Sequence, residues 1–145
     1  MLDLTPEYYS MKLHMSASSA STSPSILVAE DDSLIRDVYV EMLKNAGYTV
    51  EEAVDGKQTL EKMTKGGYDL VLLDIIMPFM DGLGILQTLK DKPPKNKNKI
   101  TLICTSLAAD PKVQEALEIG AQGVIFKPDI TPDQLVESVK KYLAA

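Results

Sequence analysis

The sequence predicts an α/β domain, a five-stranded parallel sheet with helices on both faces. Three observations carry this. Short apolar runs alternate five times with segments whose apolar residues recur at helical spacing. Four of those runs do not alternate apolar with polar residues, as expected of strands covered on both faces. Cap and breaker residues fall between the segments rather than inside them.

The elements follow in order. Residues 26–29, Ile-Leu-Val-Ala, are the first strand. A helix over 33–46 carries Leu34, Ile35, Val38, Met42 and Leu43 as its stripe, and Gly47 ends it. Residues 48–53 alternate weakly and suit an edge strand. Asp55-Gly56 opens a helix with Leu60 and Met63, closed by Gly66-Gly67. The strongest strand is 68–73, followed by a helix over about 83–90. Residues 100–104 form the fourth strand, and Asp110-Pro111 starts a helix that Gly120 stops. Residues 124–126 form the fifth strand. Thr131-Pro132 starts the last helix, whose apolar face is Leu135, Val136, Val139, Tyr142 and Leu143.

Residues 1–24 read differently. Ser and Thr fill seven of the ten positions 16–25, which is flexible-linker chemistry. A short helix after Thr5-Pro6-Glu7 is compatible with the segment before it. The expected division is a tail over 1–24 and one domain over 25–145.

Composition narrows the function. The 145 residues carry a net charge of −6, against a general nucleic-acid or anionic-membrane binder. Five lysines between Lys90 and Lys99 read as a solvated loop. A single cysteine, Cys104, excludes an intramolecular disulfide and a multi-cysteine metal site. Set inside an apolar strand, it reads as a small buried hydrophobe. A single histidine, His14, excludes His-pair chemistry. No apolar run approaches the ~18 residues of a spanning helix, and no secretory h-region follows the start, so a cytoplasmic location is expected.

The strand ends carry the chemistry. The first strand runs into Glu30-Asp31-Asp32, the third into Asp74, the fourth into Thr105-Ser106 and the fifth into Lys127-Pro128. Ligands of open α/β sheets bind beyond the carboxyl ends of the strands, so these groups are expected to share one crevice. Glu30, Asp31 and Asp74 cannot crowd together ionised without counter-charge. Lys127 and one divalent cation would balance them. With oxygen donors alone and an incomplete protein cage, Mg²⁺ is favoured. A metal, an amine, a hydroxyl and a carboxylate together suit phosphoryl transfer onto Asp74.

With these residues in order, the stretch 25–145 resembles the receiver domain of two-component response regulators, in a stand-alone, chemotaxis-type architecture. The resemblance rests on Glu30-Asp31, on Asp74 followed by Met77-Pro78 and Asp81-Gly82, on Thr105, and on Lys127-Pro128. It implies a flavodoxin-like (βα)5 fold with strand order 2-1-3-4-5. It implies Asp74 as phospho-acceptor, with Thr105 and Lys127 contacting phosphoryl oxygens. Asp31 is the implied direct Mg²⁺ ligand, Glu30 acts through water, and the Ile76 carbonyl completes the protein ligands. The implied donor is a sensor histidine kinase, a histidine phosphotransfer protein or a small phosphodonor. Output would run through changed protein contacts of a monomer or weak homodimer, on a face offering Lys112, Gln114, Glu115 and Glu118 beside Val124 and Ser138. The resemblance also implies a cis Lys127–Pro128 bond. Two positions depart from the pattern: Val124 stands where the family often has Tyr or Phe, and Asp129 where it is often apolar. A metal-dependent phosphatase is the alternative, but such enzymes commonly carry a second acid where this chain has Ile76. A receiver-like module that is never phosphorylated is a third reading, opposed by the presence of all four stations. Whether the native chain continues beyond Ala145 stays open.

Overall fold

A computed structural model describes residues 23–107 and 109–145. The possible helix after Thr5 and most of the expected tail lie outside the described residues. The strands are β1 (Ser25–Ala29), β2 (Thr49–Ala53), β3 (Leu70–Leu73), β4 (Ile100–Thr105) and β5 (Gly123–Phe126). The helices are α1 (Ser33–Asn45), α2 (Gly56–Lys65), α3 (Gly82–Asp91), α4 (Pro111–Glu118) and α5 (Pro132–Ala144). All strand pairs are parallel, in the order β2-β1-β3-β4-β5.

Alternation along the strands builds two cores from one sheet. Leu27, Val71, Leu73 and Ile103 face α2, α3 and α4, packing with Met63, Ile85, Val113 and Ala116. Ile26, Val28, Leu70, Leu72 and Leu102 face α1 and α5, packing with Leu43, Leu135 and Val139. Both sets of strand residues are nearly inaccessible, which explains why β1, β3 and β4 read as unbroken apolar runs. β2 alternates exposed and half-buried residues, as an edge should. β5 corrects the expectation of burial on both faces. It is the opposite edge, with one neighbour strand, and only Ile125 is buried.

Each helix starts on an oxygen side chain. Asp32, Asp55, Asp81 and Asp110 accept amide hydrogen bonds from the first turns of α1 to α4. Thr131 and Gln134 form a capping box at α5. These caps end the loops that follow the strands, and so fix the crest on which the site sits.

No peptide bond among the described residues is cis, so Lys127–Pro128 is trans, against the expectation. The reversal expected of a cis bond is made instead by one turn of 3-10 helix over Lys127–Asp129, closed by the Ile130 amide donating to the Lys127 carbonyl at 3.3 Å.

Candidate functional site

β1, β3, β4 and β5 end side by side, and their next residues line one pocket of about 350 Å³. Glu30, Asp31, Asp74, Thr105 and Lys127 all face it, as does Ile76. Every residue singled out for the site in the sequence is therefore brought to one place.

Lys127 organises the pocket. Its Nζ donates to Asp74 Oδ2 at 2.8 Å and to Glu30 Oε1. All three side chains are nearly buried. Burial alone favours the neutral amine of Lys127, but hydrogen bonds and charge from both carboxylates outweigh it and raise its pKa above the ordinary lysine value. Burial also pushes the Glu30 carboxyl above its usual range, because one shared ammonium compensates it incompletely beside Asp74.

The loops hold the remaining oxygens by their own amides. The Ile76 amide donates to Asp74 Oδ1 at 3.2 Å, the Asp32 amide to Glu30 Oε2 at 3.2 Å, and the Leu107 amide to Thr105 Oγ1 at 3.1 Å. These amides orient the acceptor side chains within the pocket lining. Glu30, Asp31 and Asp74 each place one carboxylate oxygen within 4.8 Å of the others. Asp31 is exposed, whereas Glu30 and Asp74 are buried. This acidic cluster is fitted to hold a metal ion with hard oxygen donors.

Sequence reasoning missed Arg36. Its guanidinium donates to the Glu30 carbonyl at 2.7 Å and pairs with Glu52 on β2 at 3.0 Å, locking the strand-one exit against the neighbouring strand. Only the fold brings Arg36 to Glu52. Cys104 is buried, and burial pushes its thiol up to about 12, consistent with a packing role. On the expected output face, Gln114, Glu115 and Glu118 are exposed, and Val124 and Ser138 share a groove between β5 and α5. Lys112 is also partly exposed there, and it pairs with Asp81 at 2.8 Å, linking α4 to the cap of α3.

The comparisons agree with this geometry. Residues 26–140 match the response regulator receiver domain model. The chain is 38% identical over 119 residues to sporulation initiation phosphotransferase F of Bacillus subtilis, covering 81% of this chain and 92% of that protein. It is 30% identical over 128 residues to hybrid signal transduction histidine kinase B of Dictyostelium discoideum, covering 81% of this chain but 6% of that longer protein. The crystal structure of a CheY-like receiver domain protein from Methanospirillum hungatei superposes with a TM-score of 0.74 at 30% identity, covering 84% of this chain and 94% of that one. With the family model reaching all five strands and all four strand-end stations, the chain belongs to the response regulator receiver domain family.

Proposed function

We propose that Asp74 accepts a phosphoryl group, with Mg²⁺ held by Asp31, Asp74, the Ile76 carbonyl and, through water, Glu30. As a receiver domain, the chain is a phosphorylation-controlled signalling switch of a two-component system. The observation that carries the site assignment is the Lys127 ammonium bonded to Asp74 beneath an open, acid-lined pocket.

The chain's own residues account for the chemistry. The Ile76 amide holds Asp74 Oδ1 and Lys127 holds Oδ2, so the carboxylate is oriented for attack. A carboxylate oxygen attacks phosphorus, the donor's P–N bond breaks, and the electron pair leaves with the donor nitrogen. Lys127 and the Thr105 hydroxyl then contact oxygens of the transferred group, where negative charge gathers. Bound Mg²⁺ supplies further charge neutralisation at those oxygens. The three carboxylates fit that ion because their oxygens converge and no sulfur or imidazole competes.

The protein is an acceptor that assists its own phosphorylation and dephosphorylation rather than an enzyme acting on a separate substrate. Its donor is a sensor histidine kinase or a histidine phosphotransfer protein. Its output is an altered protein contact made by a monomer or weak homodimer. Residues 25–145 are the receiver domain, preceded by a linker-like tail over 1–24. No described helix is long and apolar enough to cross a membrane, which suits a cytoplasmic setting. The acidic net charge gives no support to direct nucleic-acid binding.

Acetyl phosphate with Mg²⁺ should add one phosphoryl group, located on Asp74 by mass spectrometry. Asp74→Asn should abolish the addition. Unchanged labelling of that variant, or none of the wild type, would refute the assignment.

A further inference from the structure

Phe79 combines two costs that the fold does not recover. Its φ is +72°, alone among the described non-glycine residues in being positive. Left-handed backbone is unfavourable for any ordinary L-residue, and bulky side chains are genuine outliers there. Its side chain is also 85% exposed, so the ring returns little burial energy. Strain of this kind persists only where the surroundings over-determine it. Here they do. The Gly56 and Met80 amides both donate to the Pro78 carbonyl, at 3.0 and 2.9 Å, and the Gly82 amide donates to the Ile75 carbonyl at 2.8 Å. A side chain at Gly56 would collide with the Met80 carbonyl. The loop is clamped on both sides of Phe79, and the ring is held out into solvent.

The other exposed large hydrophobics point the same way. Val54 follows β2, Ile76 follows β3 and Leu107 follows β4, while Leu34 and Val38 lie in the first two turns of α1. Among the described residues, all of them lie toward the end of the sheet that holds Asp74. Scattered apolar side chains need no explanation, but a collar around one site marks an interaction surface. Leu34, Val38 and Pro132 line a shallow groove that runs up to Lys127, so the collar is continuous with the acceptor pocket.

Geometry selects the occupant. Asp74 is 7% exposed, in a pocket lined by half-exposed Ile76 and Leu107. A protein that delivers a phosphoryl group to Asp74 must therefore approach past Ile76 and Leu107, at the end of the sheet where the β3–α3 loop carries Phe79. We propose that Phe79 is the docking anchor for the phosphohistidine-bearing protein donor and a determinant of which donor is accepted. This rests on Asp74 being the acceptor. The ring enters an apolar recess beside the donor's histidine, and the clamped backbone that carries it lowers the ordering cost of docking.

The test separates docking from chemistry in the full chain. Phe79→Gly and Phe79→Asn both tolerate the left-handed backbone, so the melting temperature should hold or rise. Phosphorylation by acetyl phosphate should keep its wild-type rate. The autophosphorylated histidine kinases and histidine phosphotransfer proteins of the source organism are then assayed singly as donors, and the one fastest with wild type is retained. Its KM should rise about tenfold or more in both variants, with kcat within about twofold, and Phe79→Tyr should restore the KM. An unchanged KM in Phe79→Gly overturns the proposal, as does a wild type that accepts from acetyl phosphate but from no protein donor. A wild type that acetyl phosphate cannot label overturns the acceptor reading itself.

Discussion

Ile76 and Leu107 are expected to set how long a phosphoryl group stays on Asp74. Aspartyl-phosphate is lost when water attacks in line, and side chains flanking the approach orient that water or exclude it. Both residues line the pocket, at 47% and 49% exposure, and neither can hydrogen-bond a water or act as a base. A long-lived phosphorylated state is expected. Ile76→Asn combined with Leu107→Glu should speed hydrolysis by about tenfold, equivalent to about 1.4 kcal/mol of barrier. Phosphate-release kinetics decide it, and no acceleration in the double variant defeats the idea. At this scale the site was legible because Thr105 ends a strand and Glu30, Asp31, Asp74 and Lys127 directly follow one. Arg36 was not, because its partner Glu52 lies on another strand and only the β1–β2 pairing makes them neighbours.

Among the elements, α3 starts directly against the Asp74 backbone. A Cβ on Gly82 would lie 2.5 Å from the Asp74 carbonyl oxygen, a backbone atom with nowhere to yield. Gly82→Ala should therefore destabilise the fold by about 1–3 kcal/mol, the usual range for overpacking. It should also slow labelling of Asp74 by acetyl phosphate, because relief requires moving the acceptor loop. Urea unfolding and labelling rate measure the two effects, and a wild-type rate would show that the helix start does not position Asp74. The caps at Asp32, Asp55, Asp81, Asp110 and Thr131 were readable because capping is local chemistry. The trans Lys127–Pro128 bond and the half-buried state of β5 were not. One depends on the turn after β5, and the other on which strands acquire two neighbours.

For the molecule as a whole, metal and pH should move stability in defined directions. Mg²⁺ that binds only the folded state should raise the melting temperature, contributing about 1.4 kcal/mol at tenfold excess over its dissociation constant. Asp31→Ala should remove that rise, and a wild-type melting curve unmoved by Mg²⁺ would count against the site. Burial would raise the Asp81 carboxyl, but the Lys112 ammonium and the Gly84 amide outweigh it, so its pKa lies below the ordinary value. The stability it contributes is present above the unfolded pKa, about 3.9, and is lost as pH falls through the folded value. Asp81→Asn should flatten the acid limb of a stability-against-pH curve. Lys127 acts oppositely. Its raised pKa gives stability that is full below about pH 10 and disappears as pH rises through the folded value.

The sequence by itself determined the α/β class, the element order and the identities of the strand-end residues, because periodicity, caps and strand termini are written in local spacing. Tertiary structure decided what those residues do to one another. Glu30 and Lys127 stand 97 positions apart, yet they meet because β1 and β5 run in the same direction in one sheet and so finish on the same side of it, at the strands' carboxyl ends. Likewise Phe79 is an ordinary aromatic in the sequence. Its held-out position exists only because α2 and the β3–α3 loop clamp the backbone on either side of it.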